Sequence, residues 1–142
     1  MTIESIITAQ TMIGDGVNRH WPFTFKAWEG EIRAVVLSGH LETDVTADCD
    51  ITLNSGPGGL VVYPRLAADA PLPAGVKITI LRDMDFLQNT ELVNAARFDP
   101  HVIEEQFDRL VAEDQQLLEG LGRALQVAPG ESAPSISAFL AG

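Results

Sequence analysis

The sequence predicts an α+β protein: a small antiparallel β-sandwich or barrel, then a long C-terminal α-helix that self-associates, then an extended tail. Two observations carry this. The first ninety residues alternate β-branched and polar residues between Gly, Pro, Asn and Asp turns. From residue 98 the apolar period changes to the 4-3 spacing of a coiled-coil helix. No region alternates strands with helices, which argues against a parallel α/β sheet. The expected divisions are residues 1–97 for the β-rich unit, 98–127 for the helix and 128–142 for the extended peptide.

In chain order, "GDGVNRHWPFTFKAW" reads as a glycine-flanked turn followed by a strand. The period of two sets Trp21, Phe23 and Phe25 on one face, where they fill a core or present part of a docking face with Trp28. Pro22 on the other face donates no ladder hydrogen bond, which suits an edge strand. In "EIRAVVLSG" Ile32, Ala34 and Val36 share one face; in "VKITILRD" Val76, Ile78 and Ile80 do. "GPGGLVVYP" is a glycine-rich turn feeding a strand through Leu60 to Tyr63.

The helix has a start signal in Asp99 as N-cap and Pro100 at the first helical position. Phe98 and Ile103 are spaced for a hydrophobic staple. Glu104 and Glu105 in the early turns and Arg123 in the last suit the helix dipole, and "VAPGES" is the stop. Ile103, Phe107, Leu110, Asp114, Leu117, Leu121 and Ala124 form the seam, with one polar member. Val102, Val111, Leu118 and Leu125 form an adjacent stripe. The expectation is that one stripe meets another copy of the helix and the other meets the β unit. Ile136, Phe139 and Leu140 are the apolar anchors of the tail, which reads as a peptide that orders against another protein.

A formal charge of −11 argues against nucleic acid and anionic membranes as partners. The single cysteine, Cys49, excludes an intramolecular disulfide and a Cys-based zinc site. "MTIESIITAQ" lacks the pattern of a secretory signal, and no stretch approaches the roughly 20 apolar residues of a membrane span. His101, Glu104 and Glu105 lack the second histidine of a zinc-protease helix. "DCDITLN" lacks the glycine and terminal glutamate of a calcium loop and reads as a solvated turn. Cys49 has no basic neighbour in sequence to activate it, and no catalytic triad is nominated. The expectation is no catalytic residue, no metal and no cofactor.

The order of these features resembles the N-terminal attachment domain of podovirus-type bacteriophage tail fibres and tailspikes. The matching phrases are "GDGVNRHWPFTF", "ITILRD", "TELVNAARFDPHVIEEQFDRLV" and "QQLLEGLGRAL", covering about residues 9 to 126. Asn18, Phe23 and Phe25 match the turn-and-aromatic phrase; Phe98, Asp108 and Leu110 match the helix phrase; Arg123, Ala124 and Leu125 match its end. The resemblance implies a homotrimeric, non-catalytic structural protein of the virion tail, assembled in the host cytoplasm. Its implied partners are tail tube, adaptor or nozzle proteins, and a separate receptor-binding fibre or tailspike held through the C-terminal peptide. Family members usually continue into a shaft and a receptor-binding region, so a chain of 142 residues reads as a short adaptor or as a fragment. Two other readings stand beside this one. One is a sugar- or protein-binding β module using Trp21, Trp28 and Tyr63 as a stacking platform. The other is a small hydrolase of envelope glycans, for which the sequence nominates no carboxylate pair.

Overall fold

In the computed structural model, which describes residues 8–87, 99–124 and 129–130, the strands form two antiparallel sheets. In chain order the elements are β1 (Ala9–Ile13), β2 (His20–Phe23), β3 (Ile32–Ser38), β4 (Leu41–Asp44), β5 (Asp50–Leu53), β6 (Gly59–Val62), β7 (Lys77–Arg82) and α1 (Pro100–Arg123). One sheet has the order β1-β7-β3-β4 and the other β2-β6-β5. Their inner faces meet in one core of Trp21, Phe23, Phe25, Ile32, Ala34, Val36, Val61, Ile78 and Ile80. This is the expected sandwich, and the strand alternation expected for β3 and β7 is the alternation observed. Each of the large apolar side chains buried here contributes roughly 1.5–3 kcal/mol.

β2 is an edge strand, as Pro22 requires; it pairs with β6 alone, Pro22 opposite Leu60. Gly59 begins β6 under the ring of Phe23, where a Cβ would come within 2.7 Å of the ring's Cζ. That close approach is the reason for glycine at this end of the "GPGG" turn.

The segment expected to be a solvated turn is a strand. In β5, Ile51 and Leu53 pack against the core while Asp50 and Thr52 face water. The period of two outweighs the polar flanks, because the inner side needs only every second residue to be apolar. β4 is exposed throughout and is held by a two-residue hairpin at Gly39 and His40, with Gly39 at φ 62°.

α1 begins as expected. The Asp99 carboxylate accepts from the His101 N–H at 3.0 Å, and Pro100 takes the first turn. At 1.5 Å per residue its 24 residues span about 36 Å. It stops at Arg123, four residues short of the expected 127. Ala124 is extended, at φ −85° and ψ 155°, and caps the helix through its N–H to the Leu121 carbonyl. Gly120 and Gly122 in the last turns weaken the helix there. Phe98 and Leu125 lie outside the described residues, so the staple and the end of the second stripe do too.

Candidate assembly surface

Every part of "GDGVNRHWPFTFKAW" has a structural task. The Gly14 N–H donates to the Val76 carbonyl at 2.7 Å, and a Cβ on Gly14 would stand 2.5 Å from the Pro73 carbonyl oxygen. The Asp15 carboxylate accepts from the Val17 and Asn18 N–H groups, which holds its pKa below the usual carboxylate value. The Arg19 guanidinium donates to the carbonyls of Pro64, Leu66, Ala67 and Asp69 and so ties the 64–69 loop to the start of β2. Trp21, Phe23 and Phe25 then enter the core.

That position removes Trp21, Phe23 and Phe25 from the docking residues, because all three are buried. The alternation that points them inward is the same one that made them conspicuous. Trp28 is half-buried and is no exposed anchor either. Its indole N–H donates to Glu105 on α1, while Lys26 Nζ and the Arg109 guanidinium lie 4.9 and 5.3 Å from its ring centroid. Tyr63 is also half-buried, so no exposed stacking platform forms from Trp21, Trp28 and Tyr63.

Trp28 belongs to a bracket that fastens α1 to the sandwich. Lys26 Nζ donates to Asp108 Oδ2 at 2.8 Å and to Glu105 Oε2 at 3.3 Å. Glu31 receives Arg109 in a two-point pair at 2.6 and 2.9 Å, which raises the arginine pKa further. Arg82 follows Ile78 and Ile80 on the inward side of β7 and is buried. Its Nε donates to the Lys26 carbonyl and one Nη to Gln115 Oε1, and burial lowers its pKa. Gln116 accepts from the Met84 N–H. Asp108 and Ala112 are the buried residues of α1.

The helix therefore meets its own sandwich with its polar side. This corrects the expectation that one apolar stripe would cover the β unit. With Phe107, Asp114 and Leu121 at heptad position a and Ile103, Leu110 and Leu117 at d, the docked residues occupy b, c and f. Those are the positions a coiled-coil helix turns outward. The apolar residues lie on the opposite side: Phe107, Leu110, Leu117, Leu118 and Leu121 are each between 52% and 69% exposed, and Val111 is exposed beside them. Ile103 is half-buried, and Asp114 faces water among the apolar side chains. Ala124, the expected last member of the seam, lies past the helix as its C-cap.

Sequence reasoning passed over Lys26, Glu31, Arg82, Glu105, Asp108 and Gln115 as a set. The signal was present: Arg82 continues the inward alternation of β7, and the helix charges cluster at b, c and f. Ile136, Phe139 and Leu140 lie outside the described residues. Among the described residues no group of three or more His, Cys, Asp or Glu side chains is placed to hold a metal ion, and no helix is long and apolar enough to cross a membrane. Cys49 is buried, with its thiol directed to the Val45 carbonyl; burial, then neighbouring aspartates, push its pKa up to about 12.

No protein-family model matches the chain. It is similar to the tail spike protein of Salmonella phage epsilon15, with 30% identity over 129 residues. The match takes in 89% of this chain but only 12% of that protein, and lies in its N-terminal region. This likeness supports a domain related to phage tailspikes.

Proposed function

We propose that this chain is a trimeric, non-catalytic attachment module that anchors a fibre or tailspike to a phage tail. The observation that carries the reading is the orientation of α1. Its charged side is fastened to the sandwich, and its apolar side, with the 4-3 spacing, is turned to solvent. Burying the exposed half of each of these side chains is worth on the order of 1 kcal/mol, which favours association through this face. The a positions carry no β-branched residue and Ile103 stands at d, a distribution that turns away from two strands. Three helices at the axis with three sandwiches outside satisfy both sides of every helix.

In this reading the module contacts tail tube, adaptor or nozzle proteins, and a separate fibre or spike engages the 128–142 peptide. The likeness to a tail spike protein supports that setting. Burial of Trp21 takes away the stacking platform named for the binding-module alternative.

The test is the solution mass of the protein and of Leu117→Asp. Because Leu117 is exposed in the single chain, the variant keeps its fold and its sandwich. The expected result is a trimer for the parent and a monomer with unchanged far-ultraviolet dichroism for the variant. A parent that stays monomeric across the accessible concentration range sinks the proposal.

A further inference from the structure

The two flanks of the seam are unlike each other. Coiled coils ordinarily carry charged or polar residues at both e and g. Here g carries Gln106 and Glu113 before Gly120, whereas e, after Glu104 in the first turn, carries Val111 and Leu118, both exposed. The sandwich side of α1 is already occupied by the bracket around Trp28, and among the described residues Val111 and Leu118 stay exposed.

The g flank borders something the helix alone does not supply. After β7 the chain runs alongside α1, placing Phe86 and Leu87, both more than half exposed, next to the helix. Together with Gln106, Arg109, Leu110 and Glu113 they line a groove of about 390 Å³. Phe86, Leu87 and Leu110 make its apolar lining, and the guanidinium of Arg109, also in the lining, is held by Glu31.

In a ring of parallel helices related by rotation, the e flank of each helix faces the g flank of the next. With the helices in register, Val111 of one chain is level with Leu110 of its neighbour, within the span of the groove. We infer that the groove of Phe86, Leu87 and the 106–113 stretch of α1 is a socket for Val111 of the adjacent copy. The inference rests on the trimer reading and extends it. The interface is not confined to the helices: each sandwich domain holds the neighbouring helix through the segment that leaves β7. This accounts for an apolar Val111 at e opposite polar g positions. The apolar partner of Val111 is not the neighbouring helix but Phe86 and Leu87.

The experiment uses the full chain with Leu87→Cys, with Val111→Cys, and with both together. Light scattering first gives the mass, and mild oxidation followed by denaturing electrophoresis then gives the links. The expected result is a trimer that closes into covalent trimers in the double variant, and covalent dimers when the two single variants are co-refolded. Neither single variant alone links. A trimer by mass with no Leu87–Val111 link overturns the socket and leaves the trimer standing. A monomer by mass overturns both. Val111→Glu gives an independent reading: it raises the concentration at which trimers dissociate by at least about tenfold, because a carboxylate enters an apolar socket. No shift in that concentration counts against the socket.

Discussion

Asp108→Ala tests the bracket that orients the helix. Asp108 Oδ2 lies 2.8 Å from Lys26 Nζ, with side-chain exposures of 7% and 12%. Removing one partner of a fully buried pair costs roughly 3–5 kcal/mol, because the other charge is left desolvated. Here Lys26 keeps Glu105 at 3.3 Å, a carboxylate that is 42% exposed and correspondingly screened. The expected cost is therefore about 2–3 kcal/mol. For a chain of 142 residues that is a fall in Tm of about 7–10 °C. The measurement is a urea or thermal melt followed by far-ultraviolet dichroism and by tryptophan fluorescence, since Trp28 sits inside the bracket. It is best made in the Leu117→Asp background, so that association does not add stability by mass action. Replacing the pair together, Lys26→Met with Asp108→Leu, is expected to return stability to within about 1 kcal/mol of the parent. A loss below about 0.5 kcal/mol for the single variant, or a double variant that unfolds as readily as the single, would refute the reasoning.

Three further outcomes follow from the same geometry. Gly14→Ala forces a Cβ to within 2.5 Å of the Pro73 carbonyl oxygen and 2.9 Å of Leu72 Cγ; a loss of about 2–3 kcal/mol is expected in a denaturant melt. Asp114→Leu fills the polar position of the seam, so the trimer dissociation concentration should fall by at least about tenfold in sedimentation, with looser control of register as the cost. Cys49 should resist alkylation at pH 8 in the folded protein, because its thiol ionises only near pH 12. The folded thiol holds its proton more tightly than the unfolded one. Its contribution to stability is therefore full below the ordinary thiol pKa near 9.0 and is lost as pH rises toward about 12, which an alkaline melt series measures.

Much of the fold was legible because its elements follow local rules. β7 alternates strictly, β3 does so apart from Val35, which is buried too, Pro22 marks an edge, and Asp99-Pro100 opens a helix with its cap and first turn side by side. β1 and β4 were less legible. β4 has no buried residue to set a period, and β1 owes its place to a strand distant in sequence, where Ala9 pairs with Leu81. Tertiary pairing decides such strands more than their own composition. The seam was readable as a 4-3 spacing, but which side of α1 meets the sandwich was not. Apolar residues dominate a helical wheel, so the eye assigns them to the nearest core. Here that core is already filled by Trp21, Phe23 and Phe25, and the sandwich presents Lys26, Glu31 and Arg82 to the helix instead.

A polar docking face does something an apolar one would not. Two apolar sides of one helix are nearly interchangeable, since hydrophobic contact has no direction. Had α1 carried a second apolar stripe toward the sandwich, rotating it by half a turn would have exchanged the two stripes at little cost. The observed bracket forbids that rotation. It would lay Leu110, Leu117 and Leu121 against Lys26, Glu31 and Arg82, removing these charges from water without their partners, at several kcal/mol each. The ion pairs thus act mainly as specification, fixing which side of the helix the sandwich takes and leaving the apolar side exposed, where the proposed trimer would bury it. The apolar stripe must meanwhile be tolerated in the single chain. A net charge of −11 opposes the indiscriminate sticking that such a stripe invites, because random encounters bring like-charged surfaces together, whereas the proposed threefold arrangement would keep the charged sandwiches on the outside.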